Sequence, residues 1–149
     1  ISLRNSSKGS IFNTHIKSNE LNGIDITNSS KIRIDKSNIS NNNNGIIVNN
    51  NSAIDQLTDS RISENKIGVK ILKSSQIKIN KTIFNNNNHA IYFNNSTGEL
   101  SKVNCIINKT CLLLEKHSII KVENMTYSNN LKNKTIDPTS KIIKQLNHQ

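Results

Sequence analysis

Tryptophan is missing from this 149-residue chain, proline and methionine occur once each (Pro138 and Met125), and aromatic residues make up only 3%. With so few rings, a core of interlocked aromatics is excluded, and burial has to come from aliphatic side chains. No run approaches the 18 or so consecutive apolar residues of a membrane-spanning helix. The two cysteines, Cys105 and Cys111, cannot by themselves form a disulfide framework or a four-ligand zinc site. Acidic residues are half as common as basic ones, 10 against 20, which leaves a formal charge of +10. What is abundant is Asn, with 28 residues, and Ile, with 25. Hydrophobic content of 33% is too high for a charged disordered tail, and the length suits one domain.

The order of these residues is periodic. Gly23, Gly45 and Gly68 stand 22 and 23 residues apart, and small residues continue the register at Ala90 and Cys111. Each opens a similar phrase: Gly23-Ile24-Asp25-Ile26, Gly45-Ile46-Ile47-Val48, Gly68-Val69-Lys70-Ile71, Ala90-Ile91-Tyr92-Phe93 and Cys111-Leu112-Leu113-Leu114. Ile1-Ser2-Leu3 fits as a sixth copy without its opening residue. Within a copy, three short stretches of period two are separated by polar turns, as in Ile24/Ile26, Ile32/Ile34 and Ser37/Ile39. Period two is the mark of strands.

A coil of about 22 residues with three short strands is one turn of a parallel β-helix. Rungs then lie about 4.8 Å apart, so each Ile, Leu or Val can stack on its own copy above and below. Asn suits the bends, because it tolerates left-handed backbone and bonds locally. Side-chain amides such as those of Asn42 and Asn87 are expected to bond from rung to rung, and Gly23, Gly45 and Gly68 to fill a structural small-residue slot. The predicted fold is all-β, a single-stranded solenoid of about six coils of 21–23 residues over 1–130. Residues 131–149 read as a linker, Leu131 to Pro138, followed either by a short C-terminal capping helix that starts at Thr139-Ser140 and bears Ile142, Ile143 and Leu146, or by a tail. Without an initiator Met or leader at Ile1-Ser2-Leu3-Arg4, the segment is expected to be part of a longer β-helix.

The phrase small-Ile-x-Ile, Asn-Ser-Ser, x-Ile-x-Ile, x-Ile, Asn-Asn-x-x-Gly resembles the right-handed β-helix repeat of pectate-lyase-like proteins. It is most similar to their Asn-rich carbohydrate-binding and sugar-hydrolase repeats. The resemblance implies a secreted or cell-surface location, and either an adhesin-like rigid spacer or a fragment of a polysaccharide lyase, glycoside hydrolase or uronate epimerase. It also implies that a sugar chain lies along the outer face of the second sheet. By position, that face would present Ser10, Phe12, Arg33, Asp35, Asp55, Lys78, Asn80, Lys121 and Glu123, with Arg33, Asp55 and Lys78 stacked as a plus-minus-plus column. Asp35 and Asp55 are the candidate catalytic carboxylates, and Arg33, Lys78 and Asn80 the candidate sugar contacts. Calcium is implied only for lyase-like chemistry, and no other cofactor is implied. The Gly-His-Gly and Trp-Ile-Asp-His phrases of the enzymes are absent, and no long insertions wall a cleft. The non-catalytic reading therefore leads, with the charged column as a cross-strand ladder.

A second outward stripe, Ile47, Leu72, Tyr92 and Leu113, is apolar where a solvated sheet does not need it, which points to a contact surface, with Tyr92 as a further sugar contact. His15, His89, His117 and His148 are scattered, without partners at metal-ligand spacing. Cys111 in the small slot reads as a buried thiol, with pairing to Cys105 as the alternative in an oxidising compartment. The lysines are spread out and not interleaved with aromatics, which argues against specific nucleic-acid binding and for loose attraction to acidic polysaccharide. Asn-x-Ser/Thr triplets at Asn5, Asn28, Asn38, Asn94, Asn108 and Asn124 are weak glycosylation signals in so Asn-rich a chain.

Overall fold

A computed structural model describes residues 1–144 of the chain. Twenty short strands follow one another, with no helix among the described residues. Every pairing is parallel and joins a strand to its counterpart one coil away, as Asn44–Val48 pairs with Asn22–Ile26 before it and Ile67–Leu72 after it. The result is a parallel β-solenoid of six coils and part of a seventh, with sheets of seven, seven and six strands. The first sheet is built on strands such as His89–Asn94, the second on strands such as Gln76–Asn80, and the third on strands such as Ile83–Asn85.

The alternation read from the sequence sorts side chains as expected. Ile24, Ile46, Val69, Ile91 and Leu112 form one buried column, and Ile39, Ile62, Phe84 and Cys105 another. Each buried aliphatic side chain contributes roughly 1.5–3 kcal/mol. Where a column changes size, its neighbour compensates. A Cβ on Gly98 would lie 2.6 Å from the Phe93 ring, so the bare glycine makes room for the phenyl group.

The glycine slot has a different cause from the corners. No glycine has positive φ. A Cβ at Gly23, Gly45 or Gly68 would instead come within 2.5–2.7 Å of the carbonyl oxygen of the next coil, so the slot is a close approach of backbones. The left-handed backbone that turns each corner is carried by non-glycine residues, among them Asn28, Asn41, Asn50, Asn86 and Asn95. At the third corner Asn19, Asn42, Asn65, Asn87, Asn108 and Asn130 form an unbroken ladder. In it each residue donates its side-chain amide to the Oδ1 of the next at 2.8–3.2 Å. The first corner carries a serine ladder as well: the N–H groups of Ser7, Ser30 and Ser52 bond the hydroxyls of Ser30, Ser52 and Ser75. It is interrupted where the corner at Asn95-Ser96 is one residue shorter, and Ser75 N–H turns to the Leu72 carbonyl instead.

The C-terminal end departs from expectation. The stretch read as a linker contains the strand Lys132–Ile136, paired with Thr110–Glu115. The stretch read as a capping helix contains the strand Lys141–Lys144, paired with Ile119–Glu123. Ladder bonding decides this, since the adjacent coil offers a full row of unpaired backbone groups and a helix would leave them open. Leu146 and His148 lie outside the described residues.

Candidate functional site

The outer face of the second sheet is regular except at one place. Both neighbours of the strand Ala53–Thr58 shift register against it, so Asp55 and Gln56 together occupy what is one position elsewhere. A bulge of this kind re-aims side chains, and here it exposes two consecutive polar ones. It also changes the expected column. Arg33 stands across from Gln56, not Asp55, so the plus-minus-plus stack of Arg33, Asp55 and Lys78 does not form in register.

Beyond the bulge the charges alternate cleanly. Lys78 faces Glu99, and Glu99 faces Lys121. Lys78 Nζ lies 3.4 Å from Glu99 Oε2, with both side chains more than half exposed, so the pair is weak in solvent. In the adjoining column Ser101 Oγ donates to Glu123 Oε2 at 3.1 Å. A shallow depression of about 350 Å³ runs between these columns, lined by Asp55, Gln56, Lys78, Asn80, Glu99 and Glu123 among others. A smaller one, about 260 Å³, lies on the other side of the Lys78–Glu99 pair against Ile119 and Lys121.

The structure thus brings Asp55, Lys78 and Asn80 to one depression and leaves other expected members apart. Asp35 is level with Thr58, three residues beyond Asp55, so the two carboxylates are roughly 10 Å apart at ordinary strand rise and spacing. One oxygen of Asp35 is buried without a partner. Arg33 and Asp35 are not among the residues lining the depression. Glu99 and Gln56 are functional candidates that the sequence reading missed. Gly98-Glu99-Leu100 replaces the usual Ile-x-Ile phrase, and Gln56 comes into line only through the bulge.

Tyr92 belongs to a different face. It lies outward on the first sheet in a column with Ile47, Lys70 and Leu113, while Leu72 sits two residues along, next to Asn94. The apolar stripe is therefore broken by Lys70, whose Nζ is 5.8 Å from the centre of the Tyr92 ring. The Tyr92 hydroxyl donates to Glu115 Oε2 at 2.7 Å, and Asn94 Nδ2 donates to the Tyr92 oxygen at 2.9 Å. Burial, then the bond to Glu115, pushes the phenol above its ordinary range. Burial, then nearby Lys109, holds His89 below the usual imidazole value.

Cys105 and Cys111 are joined by a disulfide and fully buried, which replaces the expected free thiol. The inward position of Cys105 on the third sheet and the small slot of Cys111 on the first place their Cα atoms 5.9 Å apart, within bridging range. Among the described residues, no three His, Cys, Asp or Glu side chains gather into a set able to hold a metal ion. Nor is any helix there long and apolar enough to cross a membrane. A family model described as a right handed beta helix region matches residues 1–136. No curated protein sequence matches the chain.

Proposed function

The chain belongs to the right-handed β-helix family, and from that premise we propose that it is a rigid, non-catalytic β-helix spacer of a secreted or surface protein that contacts polysaccharide on its second-sheet face. The observation that carries this reading is the state of that face. Glu99 and Glu123 are already engaged by Lys78 and Ser101, and the surrounding coils keep their short turns and build no wall over the depression. An open strip with alternating charges and amides suits hydrogen bonding to a passing sugar chain. General acid and base work asks for two carboxylates held free across one bond. The Cys105–Cys111 disulfide supports an oxidising location.

Affinity electrophoresis against neutral and acidic polysaccharides tests the proposal. Retardation is expected with at least one polymer, weakened by Lys78→Ala and Asn80→Ala, with no release of sugar or unsaturated product. Turnover that disappears in Asp35→Ala and Asp55→Ala would overturn the spacer reading in favour of a lyase, hydrolase or epimerase.

A further inference from the structure

The corner between the second and third sheets holds more lysine at its left-handed position than the others do: three in six coils, against Lys73 and Lys116 at the first corner and none at the third. Six residues hold it in successive coils: Asn13, Lys36, Asp59, Lys81, Lys102 and Asn124, with φ between 45° and 52°. Asn at the two ends is what the backbone favours, since its short amide bonds locally in this conformation. Lysine has no such compensation, yet it fills half of the positions. The left-handed backbone belongs to the corner in every coil, so it is the choice of lysine for it that the fold does not require.

The charge there forms no ion pair among the described residues. Lys36, Lys81 and Lys102 are exposed, and the ion pairs among the described residues are Arg4–Asp25 and Lys78–Glu99. The backbone under them is fixed, because the N–H groups of Lys36, Lys81 and Lys102 donate to the carbonyls of Thr58, Ser101 and Glu123 in the next coil at 3.0–3.1 Å. Lys36 Nζ rests 5.5 Å from the Phe12 ring centre. Lys36 and Lys81 are two rungs apart, roughly 9.6 Å, and Lys81 and Lys102 one rung, roughly 4.8 Å. Arg61 is a third cation, with Lys36 and Lys81, lining a shallow depression of about 350 Å³ at this corner. The acids bordering the corner are Asp59 within it, and Asp35 and Glu123 just before it.

From this geometry we infer that the second corner is a binding ridge for a linear polyanion carrying sulfate or phosphate groups, which lies along the solenoid axis across Lys36, Lys81 and Lys102. This is a different surface from the second-sheet face proposed above. A row of cations on rigid backbone at multiples of one rung suits repeated oxyanions, whose bound counterions are released on contact.

The test uses substitutions that the fold itself supplies. Lys36→Asn, Lys81→Asn and Lys102→Asn install the residue found at Asn13 and Asn124. A control with the same loss of charge, Lys66→Asn, Lys73→Asn and Lys109→Asn, uses other corners, where Asn43, Asn50 and Asn88 hold the matching places. Binding of heparin and of inorganic polyphosphate is measured against salt concentration, with a thermal melt of each protein.

The ridge triple variant is expected to melt no lower than the parent, to bind at least about tenfold more weakly at low salt, and to lose about two to three from the log–log salt slope. The control should stay within about threefold of the parent. Heparin binding alone assigns a sulfated polysaccharide, and polyphosphate binding alone a phosphate polymer. Equal losses in both triple variants would reduce the effect to net charge and overturn the ridge, as would absence of binding to either probe or tighter binding of a single-stranded oligonucleotide. None of these outcomes depends on Lys78 or Asn80, so the second-sheet proposal stands or falls separately.

Discussion

Asn65 and Asn87 are joined twice: Asn87 Oδ1 accepts the backbone N–H of Asn65 at 3.0 Å and its side-chain Nδ2 at 3.2 Å. Asn87 in turn donates to the carbonyl of Ile62 at 3.1 Å and to Asn108 Oδ1 at 3.0 Å, so one buried amide satisfies groups in the coils before and after it. Removing it strands several buried polar groups at once, and each such group costs about 1–3 kcal/mol. Asn87→Ala is therefore expected to destabilise by about 2–4 kcal/mol in urea unfolding. The exposed neighbour substitution Asn88→Ala should stay within about 0.5 kcal/mol. Asn87→Asp should be worse than Asn87→Ala, because the carboxylate sets an oxygen against the Ile62 carbonyl.

The small slot gives a steric prediction. A Cβ at position 45 would sit 2.5 Å from the Gly68 carbonyl oxygen, which belongs to backbone and cannot swing aside. Gly45→Ala should cost about 2–3 kcal/mol, read as a lower urea midpoint at unchanged slope. Ala90→Gly, in the same column, should cost only about 0.5–1 kcal/mol.

The disulfide closes a short loop with a sequence separation of 6. On the loop-entropy account such a link contributes about 2 kcal/mol. The double variant Cys105→Ala, Cys111→Ala is expected to melt about 4–8 °C lower. A thiol assay on the unfolded, unreduced parent should find no free thiol, and finding two would show that the bridge does not form.

Asp137 anchors the start of the last coil. Its carboxyl is held down to about 2 from 3.8, first by the Lys116 backbone N–H at 2.6 Å and also by Thr139. A lowered native value means that this stabilisation is present above about pH 4 and drains away as pH falls towards 2. The acid limb of a thermal-stability profile should carry this component, and Asp137→Asn should flatten it.

The residues that carried the repeat in the sequence are those whose role is the same in every coil. Ile24 and Ile46 face inward because period two leaves them no choice, and Asn42 and Asn87 were legible as corner amides. The serine ladder was hidden in plain view, since Ser30 and Ser75 looked like turn residues and not buried donors and acceptors. It also accounts for several Asn-x-Ser triplets. Asn5 and Asn28 turn the corner with left-handed backbone, and the serines two residues later, Ser7 and Ser30, build the ladder. The bulge at Asp55-Gln56 left no trace, because an extra polar residue between Ile54 and Leu57 looks like any other turn residue. The terminal strand Lys132–Ile136 was missed for a related reason: it presents Lys132, Asn133 and Lys134 and is held by backbone pairing, which periodicity does not report.

The pairing pattern has a mechanical consequence. Interstrand bonds run parallel to the long axis, and each coil pairs only with the coil before and the coil after. A pull on the two ends therefore loads one interface at a time, in tension and not in shear. Such a column peels from an end, each coil paying out roughly 75 Å of chain for 22 residues at full extension. Stiff under bending, it would yield in tension as a series of even steps, the way a coiled rope runs out turn by turn.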